Sequence, residues 1–129
     1  MTTLSKYQQV AKRGLELKIP EGVRLDMEMY CSNEEENVSK HGCSTSFCFA
    51  GFLALEDGYP EEYISSDGTF NYTLYSSNLI GYSSYGDQWD FLFSECWPNS
   101  LEALRKRCAH VLEHGDCPHW STWDEWGII

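Results

Sequence analysis

The sequence predicts a single, helix-rich α+β domain of 129 residues, with a buried central helix over residues 46–57 and a few short strands. Three observations carry that prediction. "FCFAGFLALEDG" (47–58) is apolar on every side, as a helix enclosed by a core must be. "NSLEALRKRCAHVLEHG" (99–115) repeats its apolar residues at helical spacing between a capping pattern and a glycine. "GVRLDMEMY" (22–30) alternates Val23, Leu25, Met27 and Met29 against Arg24, Asp26 and Glu28, the period of a half-buried strand. Hydrophobic residues make up 42% of the chain, enough for a core and too many for a disordered segment.

Taken in order, "TTLSKYQQVAKRG" places Leu4, Tyr7, Val10 and Ala11 on one helical stripe, with Thr2 or Thr3 as cap and Gly14 as stop. The predicted strand follows, then the polar, acidic loop "SNEEENVSKHG". Ser44, Thr45 or Ser46 is placed to cap the central helix, because a hydroxyl accepts from its unbonded N–H groups. Gly58 ends that helix, and "YPEEYI" reads as a short turn opened by Pro60. In "SSDGTFNYTLYSSNLIGYSS", Phe70, Tyr72 and Leu74 alternate like a strand while Phe70, Leu74 and Asn78 fit a helix, so both readings stand. "YGDQWDFLFSECWP" predicts a short helix ending before Pro98. In the last long helix Asn99 is the expected cap with Glu102 three residues on, Leu101, Leu104, Cys108, Val111 and Leu112 form the apolar stripe, and Gly115 is the stop. Trp120, Trp123 and Trp126, spaced by three, share one side of a short helix or turn.

The charge is unevenly spread. The formal net charge is −11, and from His41 to Leu104 there is no lysine or arginine but nine acidic residues. Such a surface repels phosphate backbones and attracts basic protein faces. No apolar run approaches the roughly 18 residues that a membrane-spanning helix needs. "MTTLSKYQQVAKRG" has no apolar core of a signal peptide, so a cytoplasmic location is expected. In a reducing compartment the six cysteines are expected as free thiols, metal ligands or a nucleophile.

"LDMEMY", "GCSTSFCFAGF", "WDFLF…WP" and "EALRKRCAHVLEHG", in that order, resemble a loose family of small phage-encoded proteins. Members read Phe-Asp-Met near an aromatic, then Cys-Gly-Thr-x-x-Cys-x-Ala-Gly-Trp, then Leu-Phe and Trp-Pro ahead of a last helix. Ser44 stands where the family has glycine and Phe52 where it has tryptophan. The resemblance implies a phage origin and a recurring structural core; it brings no assigned chemistry.

Several chemistries can be drawn from the residues. Cys43, just ahead of a helix, is the candidate nucleophile, because the helix dipole favours a thiolate there. His110, His114 or His119 would be its base, with Asp116 or Asp124 orienting it; the triad singled out is Cys43, His119 and Asp124. A metal reading groups His110, His114, Cys117 and His119, though the paired Cys-x-x-Cys knuckle of a structural zinc site is missing. Arg105, Lys106 and Arg107 form the only basic cluster and would have to converge to hold a nucleotide. Asp87, Trp89, Asp90, Glu95, Trp120 and Trp123 combine acids with the aromatic residues favoured at interface hot spots.

The leading expectation is an acidic phage protein that binds and modulates a host protein with a basic surface, in counter-defence or host takeover. It needs no cofactor, membrane or direct nucleic-acid contact. A small cysteine- or metal-dependent enzyme is the alternative, and a sponge for a signalling nucleotide a further one.

Overall fold

The computed structural model describes residues 3–19, 21, 24–25, 27 and 46–127, positions 24 and 46 by their backbone alone. Among these residues the chain forms α1 (Lys6–Leu15), β1 (Arg24–Leu25), β2 (Ser46–Phe47), α2 (Phe49–Glu56), α3 (Tyr72–Ile80), α4 (Asp87–Phe93) and α5 (Leu101–His114). Two 3-10 segments, Glu61–Tyr63 and Trp120–Trp126, complete it. The expected α+β class is therefore corrected to all-α. β1 and β2 pair in parallel over two residues each, with Arg24 opposite Ser46 and Leu25 opposite Phe47, which is a clip between segments and not a sheet layer. Of the alternating residues Leu25 and Met27 are both buried, Leu25 in the two-residue β1 and Met27 in a turn. Val23, Met29 and the loop after them lie outside the described residues.

α1 starts one turn later than expected. Ser5, not Thr2 or Thr3, is its cap: Gln8 N donates to Ser5 Oγ (3.1 Å) and Ser5 N to Gln8 Oε1 (3.0 Å), a reciprocal capping box. Gly14 does not stop the helix. It lies buried inside it, where a β-carbon would collide with Cys108 Sγ and sit 3.0 Å from Phe49 Cζ. α1 makes its most extensive packing against α5, and the glycine permits that approach.

α2 is the buried central helix, shorter than the expected 46–57. Phe49 to Ala54 are all buried, and Ser46–Phe47 belongs to the clip. Its cap is Cys48, whose Sγ accepts from Gly51 N at 3.4 Å. Cys48 is as buried as expected, but at the helix's mouth and not within it. The ambiguous stretch divides: Phe70 bridges to Ile64, then Asn71 caps α3 by accepting from Leu74 N (3.0 Å), and Gly81 closes it at φ 77°. Ser100 caps α5 by accepting from Ala103 N (3.2 Å), which frees Asn99 to accept from Met27 N (2.7 Å). Gly115 ends α5 in the left-handed conformation, φ 80°.

Arg13 joins three helices. Its guanidinium donates to Glu56 (3.1 Å) and to both oxygens of Asp57 (3.0 and 3.1 Å) at the end of α2, and the Tyr75 hydroxyl of α3 donates to the same Asp57. The fork-on-carboxylate geometry makes this stronger than an ordinary surface pair.

Adding the missing methyl at Gly14 tests the α1–α5 contact. Gly14→Ala gains about 1 kcal/mol of helix propensity but overpacks the crossing, and should lower stability by about 1–3 kcal/mol in urea denaturation. Removing the obstructing sulfur as well should recover part of that loss, giving Gly14→Ala and Cys108→Ala a coupling energy of about 1 kcal/mol. Strictly additive effects would mean that the two sites do not meet.

Candidate functional site

The residues singled out for chemistry do not form one site. Arg105, Lys106 and Arg107 leave α5 in three directions. Arg105 is exposed and donates to Leu17 O (2.7 Å); Lys106 lies 5.1 Å from the Trp126 ring; Arg107 is fully buried. Arg107 Nε donates to Phe91 O (2.9 Å) and its guanidinium stacks 4.7 Å from the Trp97 ring. Its Nη1 and Nη2 are buried and have no hydrogen-bond partner among the described residues. Burial pushes this guanidinium down to about 10, so it still carries its charge at neutral pH. The fold lowers that pKa, so holding the charge is a stability cost below about pH 10, relieved only as pH rises through that value. Nothing in the sequence marks Arg107 as the basic residue turned inward, beyond its place three residues from Leu104 and four from Val111.

Cys43 of the catalytic reading lies outside the described residues. His119 is exposed and caps the last 3-10 segment: its Nδ1 accepts from Ser121 N (3.2 Å) and lies 2.7 Å from Ser121 Oγ. Its hydrogen bonds run to Ser121 and Thr122, not to Asp124. Among the described residues no three metal-ligating side chains come together. The His110 and His114 rings lie 4.4 Å apart, and His110 also meets the Trp126 ring at 5.1 Å. Burial, and then the neighbouring His114, push His110 down.

Two of the described thiols, Cys108 and Cys117, are poor nucleophiles. Burial pushes both Cys108 and Cys117 up to about 12, and at Cys117 the charge of Asp116 adds to it. Cys48 is a cap, and Cys96 is exposed on the turn after α4.

The aromatic and acidic set is sorted by the packing. Trp123 is buried, with Nε1 donating to Pro118 O (3.0 Å). Trp89 is half-buried, with Nε1 donating to Ser76 Oγ (2.8 Å) and its ring on Phe93 at 5.6 Å. Asp90 is half-buried, its carboxyl raised by burial and by Asp87. Asp87, Glu95 and Trp120 are exposed. A 3-10 helix has three residues per turn, so Trp120, Trp123 and Trp126 do share a side, but only the last two reach the core.

One end of the molecule gathers polar and aromatic groups that the sequence did not group. Buried Tyr7 donates to Gln88 O (2.6 Å) and meets the Tyr82 ring edge-on at 5.3 Å. Gln88 Nε2 donates to Asp116 Oδ1 (3.2 Å), and Cys117 N donates to the same oxygen (2.8 Å). Burial holds the Tyr7 hydroxyl well above its ordinary pKa, reinforced by the charges of Cys117 and Asp116. Beside Tyr82 an open, polar cleft of about 600 Å³ is lined by Lys6, Tyr63, Ser77, Asn78 and Gly81. Comparison of the chain with protein-family models, with curated proteins and with solved structures gives no match.

Two measurements check this account. With a thiol reagent at pH 8, Cys96 should react faster than the other described cysteines, and Cys108 only on unfolding, because a thiol with a pKa of about 12 supplies almost no thiolate there. Rapid native labelling of Cys108 would contradict its burial. Arg107→Met should raise stability by about 1–2 kcal/mol, since it removes an incompletely bonded buried charge at the cost of one hydrogen bond. A loss instead would mean that the guanidinium finds an acceptor outside the described residues.

Proposed function

We propose that this is a small acidic protein of phage type that binds and modulates a host protein through a basic face of that partner, in counter-defence or host takeover. The observation that carries the reading is the charge distribution: nine acids and no lysine or arginine between His41 and Leu104. Exposed Asp87 and Glu95 belong to that stretch, and Asp116 is exposed beyond it. Arg13 offsets two of these acids, Glu56 and Asp57, while Arg107 is enclosed in the core. No described helix is long and apolar enough to cross a membrane, in keeping with a partner met in solution. The raised thiols of Cys108 and Cys117 and the divergence of Arg105, Lys106 and Arg107 lend no support to the enzyme and nucleotide-sponge alternatives.

The test is affinity capture from infected cells, with tagged wild type beside a triple variant carrying Asp87→Lys, Glu95→Lys and Asp116→Lys. A discrete host protein should co-purify with wild type, fade with added salt as exposed charges become screened beyond about 8 Å, and be lost from the triple variant. Cys43→Ser, which removes a nucleophile with little change in size, should leave capture and activity intact. A salt-insensitive complex, or an inactive Cys43→Ser protein, would overturn the acidic-binder reading in favour of cysteine chemistry.

A further inference from the structure

We infer that the partner docks on the face built by the 81–86 turn, the start of α4 and Asp116, and that this face receives an arginine-bearing protein segment. The inference rests on the acidic-binder reading and gives it a place and a chemistry. Among the described residues four large apolar side chains are exposed, and two of them, Tyr82 (40%) and Tyr85 (97%), lie on this turn.

The turn is held in place. Ser77 Oγ donates to Tyr82 O (2.7 Å), Tyr85 N to Ser83 Oγ (3.1 Å) and Gly86 N to Ser83 O (3.1 Å). Its base is anchored by the Tyr7–Tyr82 ring contact. Tyr85 is thus carried outward on an ordered backbone, so little backbone entropy is lost when a partner covers it. Such rigid, exposed aromatics are the residues on which interface energy concentrates.

Two acids follow from the turn, Asp87 at the start of α4 and Asp116 through its bond from Gln88. Asp87 is exposed at the first position of α4, next but one to Tyr85. Asp116 is exposed and oriented by Gln88 Nε2 and Cys117 N, with oxygen capacity left for a further donor. Lys6 lines the cleft with Tyr82, its stem 3.4 Å from where a β-carbon on Gly81 would be. An aromatic face with a carboxylate at its edge suits guanidinium better than ammonium. Guanidinium is planar and weakly hydrated, so it stacks on the ring while its fork donates to the carboxylate. The acids at Glu61 and Glu62 lack that companion: their neighbour Tyr63 is half-buried, with its hydroxyl accepting from Asn78 Nδ2 (3.1 Å).

The test uses two short peptides, one alternating arginine with glycine and one alternating lysine with glycine, titrated into the isotopically labelled full chain. The arginine peptide should shift the amide signals of Tyr82, Tyr85, Asp87 and Asp116. Tyr85→Ala and Asp87→Asn should each weaken its binding about fivefold, and the lysine peptide should bind about tenfold more weakly. Tyr85 is almost wholly exposed, so its replacement leaves the core and the remaining spectrum unchanged. Shifts that map to Glu61 and Glu62, or equal binding of the two peptides, would overturn the inference and leave the acidic-binder reading standing. Absence of binding by either peptide would also overturn it, and the salt-sensitive capture experiment then decides the broader reading separately. Concentration-dependent shifts at these residues without peptide would assign the face to self-association, and overturn it too.

Discussion

The fold depends on how closely α1 and α5 approach at Gly14. With no β-carbon there, Cys108 Sγ of α5 and the Phe49 ring of α2 both reach the α1 backbone, so three helices meet at one residue. Everything at the Tyr7 end is set by that crossing. Gln8 Nε2 reaches Leu112 O (3.0 Å) across the same pair of helices, and Tyr7, one turn from the buried Val10 and Ala11, extends to the α4 backbone at Gln88. A protein interior is packed as densely as an organic crystal, so one extra carbon at such a point must displace a helix and not merely a side chain.

The second constraint is electrostatic. Several of the protein's few cations are spent internally. Arg107 is enclosed over Trp97, Arg105 is tethered to the Leu17 carbonyl, Lys106 lies over Trp126 and Arg13 clamps the end of α2. Each does local structural work, and the acids of the stretch without lysine or arginine are left largely uncompensated. A negative field of that kind speeds encounter with a basic partner and disfavours nucleic acid. Such a field does not by itself distinguish arginine from lysine.

Sulfur serves packing here. Cys108 fills the helix crossing, Cys48 caps α2, and Cys117 lies against Tyr7 and Asp116. Burial in apolar surroundings keeps a thiol protonated, the reverse of what a nucleophile or a metal ligand needs. Cys117, which its spacing offered as a metal ligand, is therefore held protonated; Cys43 lies outside the described residues.

Sequence alone determined what depends on neighbouring residues or on composition. The all-round apolar character of residues 49–54 could be satisfied only inside the protein, and all six are buried. Gly115 ends α5 because a left-handed residue after a helix favours glycine. The missing cations between His41 and Leu104 needed no structure to be seen. Tertiary structure decided what depends on distant partners. Alternation at 23–29 could not say whether a sheet existed for it to join; a period of two reports one buried face and does not supply the partner strands. Three evenly spaced tryptophans could not say that Trp123 is enclosed while Trp120 is left outside, because that depends on where Phe91 and Trp97 come to lie. Nor could "RKR" show which arginine turns inward, since helical periodicity fixes angles between side chains and only packing fixes which angle faces the core.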